Sequence, residues 1–246
     1  MKQHLSVLTL AARSTIYKVL GLLIAMAVVQ GILFYLTLET SLANEPPGLE
    51  QVISQSRIAL VCGAGFLLLC LLLSLTGYEI GGSKLRYTLQ RLSIEEKTTV
   101  FWWAGYNAVC FFLFWAAQLV IALLLCRLYL TKVDAAYTSG QTILLAFYRN
   151  SWLHSLLPLA DVSRYLRNAV FALCLGLSAA CFSFRQRHDK IGIAVVVVAG
   201  LVAVSFALPM GDVLGDVMLS LTALVIAGGA MINVWRERGR EHEVEP

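Results

Sequence analysis

Few side chains in this sequence of 246 residues have the types and the spacing that catalysis requires. The chain has no G-x-S-x-G nucleophile motif, no H-E-x-x-H zinc motif and no G-x-x-x-x-G-K-S/T nucleotide-binding loop. The four histidines, at positions 4, 154, 188 and 242, are scattered among the termini and loops, and no C-x-x-C pair occurs. We therefore predict that the chain has no catalytic residues, binds neither a metal nor a cofactor, and is not an enzyme.

Three polar side chains lie within long apolar runs: Gln30, Asn107 and Gln118. A polar group in such a run either borders a path for a transported substrate or hydrogen-bonds to a neighbouring helix. We favour the helix contact, and we keep the three residues as candidates for a substrate path.

The most polar stretch between two apolar runs, GGSKLRYTLQRLSIEEKTTVF at residues 81–101, still has helical periodicity. Leu85, Leu89 and Leu92 recur at the spacing i, i+4 and i+7, which places them on one face of a helix, and Arg91 lies elsewhere. The pattern predicts a short amphipathic helix outside the bilayer. The alternative is a solvated loop whose leucines lie against lipid headgroups.

A second helix should begin directly after this amphipathic segment. Ser93 and Glu96 form the S-x-x-E pattern of a capping box, in which the two side chains bond to backbone N–H groups of the first turn. The carboxylates of Glu95 and Glu96 are also favoured by the partial positive charge at a helix start. The segment therefore predicts a helix, a break and a further helix.

The composition is that of a membrane protein. Hydrophobic residues make up 59% of the sequence and charged residues 14%, with a mean hydropathy of +0.75, whereas a soluble domain has about 25% charged residues. Because most of the length lies in apolar runs, we predict one polytopic membrane domain of the all-α class over residues 1–246. The formal net charge of +4 gives no reason to expect nucleic-acid binding, and we expect none.

The apolar runs predict six transmembrane helices, each near the ~20 residues that cross about 30 Å of hydrocarbon. The predicted spans lie at residues 17–38, 58–80, 102–129, 168–184, 191–208 and 213–235. Before them, in residues 1–16, Leu5, Leu8 and Ala12 follow helical spacing, with polar residues mainly on the other side. This pattern predicts an interfacial helix in the headgroup plane, and the alternative is a frayed cytoplasmic tail.

Lys and Arg are distributed unevenly between the two sides that six spans define. If the N-terminus is cytoplasmic, thirteen of the nineteen basic residues fall in inner segments. Most of the others lie in or beside the long outer segment between spans three and four, and long segments have little weight in the positive-inside rule. We therefore predict that both termini are cytoplasmic. The predicted location is a bacterial plasma membrane.

That outer segment, residues 131–165, is too long for a turn and too short for an ordinary domain. It contains apolar pieces at residues 142–148 and 152–159. We expect one or two short helices that lie on the outer surface or dip part way into the membrane. The alternative is a surface cap with no role in handling a substrate.

The layout resembles that of the membrane-spanning (permease) subunit of type-2 ABC exporters. This family has an N-terminal interfacial helix, six spans, and a leucine-containing coupling helix in the first cytoplasmic loop. Residues 86–93, with the sequence Arg-Tyr-Thr-Leu-Gln-Arg-Leu-Ser, are similar to the coupling segment of the family. The chain departs from the family in its long outer segment, which lies between spans three and four, whereas the family usually has re-entrant outer helices between spans five and six.

The resemblance implies ATP-driven transport in which this chain itself breaks no bonds. ATP and magnesium would bind to a separate ATPase subunit, and the chain would dimerise with a second membrane subunit, either the same chain or a sister chain. The residues implied in coupling to the ATPase are Leu85, Arg86, Leu89, Arg91, Leu92, Glu95 and Glu96. A peptide, a lipid and a drug-like molecule all remain open as the substrate.

Two other functions suit a helical membrane protein. The first is a non-transporting sensor or assembly factor, whose basic loops would bind a cytoplasmic partner or anionic lipid. The second is a secondary transporter, which should have two related halves and charged residues near the middle of the membrane. The sequence displays neither of these two features, and the exporter is our leading hypothesis.

Overall fold

The computed structural model of the protein describes residues 2–42, 47–75, 96–134, 137–159, 161–188, 190–206 and 212–241. In these ranges the secondary-structure elements are all helices, which confirms the predicted all-α class for this part of the chain. In chain order they are α1 (Lys2–Leu42), α2 (Leu49–Gln55), α3 (Ile58–Ser74), α4 (Glu96–Lys132), α5 (Thr142–Arg149), α6 (Ser151–Leu156), α7 (Val162–Arg187), α8 (Ala194–Ser205) and α9 (Val213–Glu241).

Four of these helices are long and apolar enough to cross a membrane. Their apolar segments are Thr15–Leu42 in α1, Thr98–Lys132 in α4, Val162–Arg187 in α7 and Val213–Arg236 in α9. The pair α2 and α3, bent by 52°, makes a fifth if the two form one span. These helices indicate an integral membrane protein. α8 has 12 residues, or about 18 Å of helix, so the arrangement of six complete spans stays a prediction.

α1 is one continuous helix of 41 residues. The predicted interfacial part, residues 1–16, is therefore joined to the first span without a break in the helix. The physical reason lies in the sequence, because neither Pro nor Gly occurs before Gly21 and no stop signal separates the two parts.

α7 lies at the centre of the bundle, where it packs mainly against α4 and α9. In an 18-residue apolar stretch of α7, 61% of the residues are buried, against 28%, 39% and 22% in the corresponding stretches of α1, α4 and α9. α7 begins at Val162, so the fourth span, predicted at residues 168–184, starts earlier than expected. The error has a simple cause: Arg164 and Arg167 lower the hydropathy of the first two turns, although both side chains are buried.

The contact between α4 and α7 is close because Gly176 has no side chain. A Cβ atom at this position would lie 2.6 Å from the backbone nitrogen of Ala108 and 2.7 Å from the backbone oxygen of Ala104. A glycine of this kind lets the backbones of two membrane helices approach each other. α4 and α7 are thus held close together at a glycine.

The predicted outer segment, residues 131–165, contains α5, α6 and the first turn of α7. Asn150 separates the two short helices and caps the second, because its Oδ1 accepts hydrogen bonds from the backbone N–H groups of Trp152 at 3.1 Å and Leu153 at 3.2 Å. On α5, Arg149 pairs with Glu50 of α2 at 3.2 Å. The segment is therefore packed on the rest of the protein through both of its helices.

α6 lies beside the middle of α4 rather than at its end. Trp115, near the midpoint of α4, donates a hydrogen bond from Nε1 to the carbonyl oxygen of Leu156 at 2.9 Å. Asn168 of α7 donates from Nδ2 to the carbonyl oxygen of Ser155 at 2.8 Å. Side chains from two long helices thus satisfy the last carbonyls of α6, as is required where a helix ends away from water.

Candidate functional site: a buried charge cluster beside an apolar cavity

Most of the residues predicted to couple to an ATPase lie outside the described ranges. They are Leu85, Arg86, Leu89, Arg91, Leu92 and Glu95. Glu96 is the first residue of α4. The predicted coupling helix therefore stays a prediction, and what the structure adds is the element that follows it.

The structure brings two of the three candidate substrate-path residues together. Gln30 of α1 donates from Nε2 to Oε1 of Gln118 of α4 at 3.0 Å, and both side chains are fully buried. Asn107 is also buried, but it lies about three helical turns away from Gln118 along α4. The glutamine pair therefore fixes α1 against α4, and Asn107 has a separate position.

Within the described part of the chain, the largest group of buried charges lies between α7 and α9. Arg167 Nη1 is 2.7 Å from Asp216 Oδ1, and Arg164 Nε is 3.9 Å from Asp216 Oδ2. Ser163 donates from Oγ to the same Oδ2 at 3.0 Å. The side chains of the two arginines and of Asp216 are between 0% and 3% exposed, so these three charges have little contact with solvent.

A second carboxylate extends this charge cluster toward α6. Asp161 Oδ2 lies 3.0 Å from His154 Nε2 and 3.8 Å from Arg164 Nε. Asp161 is 23% exposed, and His154 is almost completely buried. The two arginines are thus matched by two carboxylates, which is the condition under which buried charges are tolerated.

The cluster is also connected to the α6 backbone through Asn168. Arg167 Nη2 donates to Asn168 Oδ1 at 3.2 Å, and the amide group of Asn168 in turn donates to the carbonyl oxygen of Ser155. Movement of Arg167 away from Asp216 would therefore disturb the position of α6. The arrangement can hold α6, α7 and α9 in one geometry and release them together.

An apolar cavity of about 70 Å³ adjoins this cluster, between α3, α4, α7 and α8. A cavity of this size holds only a few water molecules. Phe66, Phe111 and Phe114 are among its lining residues, and Gln118 and Asn168 supply the polar groups. Gln118, predicted as a path residue, therefore borders an internal space, and Asn168 connects that space to the charges.

Sequence reasoning did not find the charge cluster. His154 and Arg164 fall in the predicted outer segment, Arg167 falls just after it, and Asp216 falls at the start of the predicted sixth span. The structure buries all four side chains. A signal was present: Arg164 and Arg167 continue the buried face that runs through Phe171 and Ser178 at helical spacing. If the helical spacing of the buried residues is continued toward the N-terminus of α7, both arginines lie on the buried face.

The chemistry that this site allows is electrostatic. Within the described ranges, no three His, Cys, Asp or Glu residues are grouped in a way that could hold a metal ion. The cluster contains no cysteine, and its two serine hydroxyls are bonded within it: Ser163 Oγ donates to Asp216 Oδ2, and Ser155 Oγ accepts from Arg164 Nη1 at 3.5 Å. A conformational role suits it better than a role in bond cleavage.

Comparison with known proteins leaves the family open. No protein-family model matches the sequence, and no curated protein and no solved structure matches it either. The resemblance to type-2 ABC exporters therefore stays a hypothesis that rests on the helix layout and on residues 86–93.

Proposed function

We propose that this chain is the membrane-spanning permease subunit of an ATP-driven ABC exporter. The observation that carries the proposal is the connection of the predicted coupling segment to α4. α4 begins at Glu96, directly after that segment, and continues for 37 residues, about 55 Å of helix. α4 packs against α1, α3, α6 and α7. A displacement at its start would therefore be transmitted to most of the bundle.

The proposed mechanism is mechanical. ATP and magnesium bind to a partner ATPase, whose closure moves the segment at residues 84–93 and with it the start of α4. The close contact at Gly176 carries the movement to α7, and α7 holds the charge cluster and one wall of the internal cavity. A second membrane subunit, the same chain or a sister chain, completes the path for the substrate.

The orientation is part of this proposal, with both termini in the cytoplasm of a bacterium. In a cysteine-free variant, single cysteines at Pro47, Ser139 and Gly211 should react with an impermeant thiol reagent added outside intact cells. Cysteines at Ser83 and His188 should react only after the membrane is permeabilised, because the basic residues keep their segments inside. The six native cysteines are free, so replacing them breaks no disulfide bond. Reaction of a cysteine at Ser83 with the reagent added outside would contradict the predicted topology.

Replacing Leu89 by aspartate should dissociate or uncouple the ATPase. A small interface concentrates its energy in a few buried apolar side chains, so a charge at this position should weaken association by at least about 1 kcal/mol. The measurements are pull-down of the ATPase with the tagged chain and ATPase activity of the complex in lipid.

Gln90→Asp is the matched control for this variant. It adds the same charge one residue away, on the side of the predicted helix opposite the three leucines. Gln90→Asp should keep the ATPase bound. If Leu89→Asp binds and activates the ATPase as well as this control does, or if no ATPase copurifies with the chain from native membranes, a non-transporting sensor or assembly factor becomes the better assignment.

Secondary transport is a second candidate, because the structure has one feature that such transporters share. That feature is the group of buried charges at Arg164, Arg167 and Asp216. A secondary transporter would work in vesicles without ATP and would need an ion gradient. Transport that persists when ATP is absent and stops when the gradient is collapsed would favour this candidate over the exporter.

A further inference from the structure

A second and larger cavity, of about 580 Å³, lies between α3 and α8. We call it the α3–α8 groove. Ala59, Leu60, Gly63 and Leu67 line it from α3. Val202 and Ala203 line it from α8, and Phe206 lines it directly after α8. Ser151 and Trp152 border it at the start of α6. Its walls are thus apolar, and α6 supplies one of the few polar groups.

The α3–α8 groove is continuous with the smaller internal cavity. The two share Cys62, Phe66 and Phe114, and they also share Val202 of α8 and Phe206 directly after it. A molecule in the groove would therefore have Gln118 and Asn168 within the adjoining space. The pair of cavities offers a long apolar wall with hydrogen-bonding groups at the inner side, as expected of a site for an amphipathic ligand.

The opening of the groove faces the bilayer rather than water. Leu60 and Leu67 of α3 are 68% and 57% exposed, and Val204 of α8 is 58% exposed. In an integral membrane protein, exposed apolar side chains along two membrane helices are covered by lipid. Only a molecule that is dissolved in the bilayer can enter the groove from this side.

The volume of the groove matches one hydrocarbon chain. A methylene group occupies roughly the space of a water molecule, about 30 Å³. The volume of about 580 Å³ therefore accommodates on the order of 16 to 20 methylene groups at that size. This is the volume of one fatty-acyl chain.

We propose that the α3–α8 groove binds a single-chain amphiphile of the fatty-acid type, which enters sideways from the bilayer. Its chain lies between α3 and α8, and its head group bonds to the polar groups next to α6 and in the internal cavity. The proposal that the groove binds such a molecule depends only on the groove. The further proposal that the groove is the substrate site of an exporter rests on the function proposed above. In that case the substrate is a lipid-like molecule rather than a peptide or a drug-like molecule.

The test is photolabelling of the full-length purified chain in bilayer nanodiscs, with a palmitic-acid analogue that carries a diazirine at mid-chain. Labelled peptides should come from α3 near Gly63 and from α8 near Ala203. Labelling should saturate with probe concentration and decrease when unlabelled palmitic acid competes. The experiment contains no ATPase, so a negative result counts against this site alone, and failure of the Leu89→Asp prediction counts against the exporter alone.

Gly63→Leu is the decisive variant. A Cβ atom at Gly63 has no neighbour within 4 Å, so the leucine side chain can extend into the groove without displacing the helix. Because it occupies the space of several methylene groups, it should weaken probe binding at least about tenfold. Gly200→Leu is the matched control: Gly200 is exposed on α8, also has no neighbour within 4 Å, and is not among the residues that line the groove. Both changes replace a helical glycine by leucine, so both should affect helix stability equally.

Three results would overturn the proposal. In the first, labelling does not saturate and spreads over the exposed faces of α1 and α9, as for bulk lipid. In the second, Gly63→Leu and Gly200→Leu are labelled alike. In the third, a cysteine at Gly63 forms a disulfide with a second copy of the chain and the probe does not label α3, which would show that another subunit fills the groove.

Discussion

Replacing Asp216 by leucine should destabilise the protein by about 3–5 kcal/mol, because it removes one partner of a buried ion pair and leaves the other charge in place. Arg167 is fully buried and lies 2.7 Å from Asp216. In the variant, two arginines would face one remaining carboxylate, that of Asp161. The expected result is a loss of folded protein after extraction in mild detergent, and the measurement is thermal unfolding followed by size-exclusion chromatography.

Two further variants make this prediction specific. The double variant Arg167→Leu/Asp216→Leu removes both charges and leaves Arg164 with Asp161, so most of the lost stability should return. Asp212→Leu, four positions before Asp216, should cost only about 1 kcal/mol, because Asp212 is exposed and its carboxylate only caps α9 at the N–H of Gly215. If Asp216→Leu is as stable as Asp212→Leu, the cluster is solvated and the description of it as buried is wrong.

Gly176→Leu should separate α4 from α7. The nearest atoms to an added Cβ are backbone atoms of Ala104 and Ala108, at 2.7 and 2.6 Å, and a backbone cannot yield as a flexible side chain can. Overpacking of this kind costs about 1–3 kcal/mol, and more when two helices must move apart. The free energy of unfolding in mixed micelles of mild detergent and dodecyl sulfate is the appropriate measurement.

Gly105→Leu is the control for that substitution. Gly105 is on α4 next to the same contact, but it is exposed and has no neighbour within 4 Å. Leucine at position 105 should leave the free energy of unfolding unchanged, or should raise it by a few tenths of a kcal/mol up to about 1 kcal/mol. Equal stability of the Gly176→Leu and Gly105→Leu proteins would contradict the close approach of α4 and α7.

The sequence predicted the helices well where hydropathy alone decides the outcome. The apolar runs at residues 17–38, 102–129 and 213–235 lie within α1, α4 and α9. Hydropathy is a sum over all side chains in a window, so it does not depend on which way each one points. For that reason it locates the middle of a span reliably and its ends poorly, as the early start of α7 illustrates.

The charge cluster could not be predicted in the same way, because its existence depends on pairing across helices. Arg167 and Asp216 are 49 positions apart in the chain, and nothing in the local sequence states that they meet. The same limit applies to Gln30 and Gln118. The sequence identifies them as polar residues in apolar runs, but their mutual hydrogen bond depends on the packing of α1 against α4.

The shortness of α8 has a consequence for the membrane around the protein. With 12 residues, α8 covers about 18 Å, whereas the hydrocarbon of a bilayer is about 30 Å thick. Lipid beside a short hydrophobic helix adapts by thinning, so the bilayer should be thinner next to α8 than next to α4. α8 also forms one wall of the α3–α8 groove. The distance between the two leaflets would then be reduced at the place where the groove opens, and the barrier to moving a polar head group across the membrane would be lowest there.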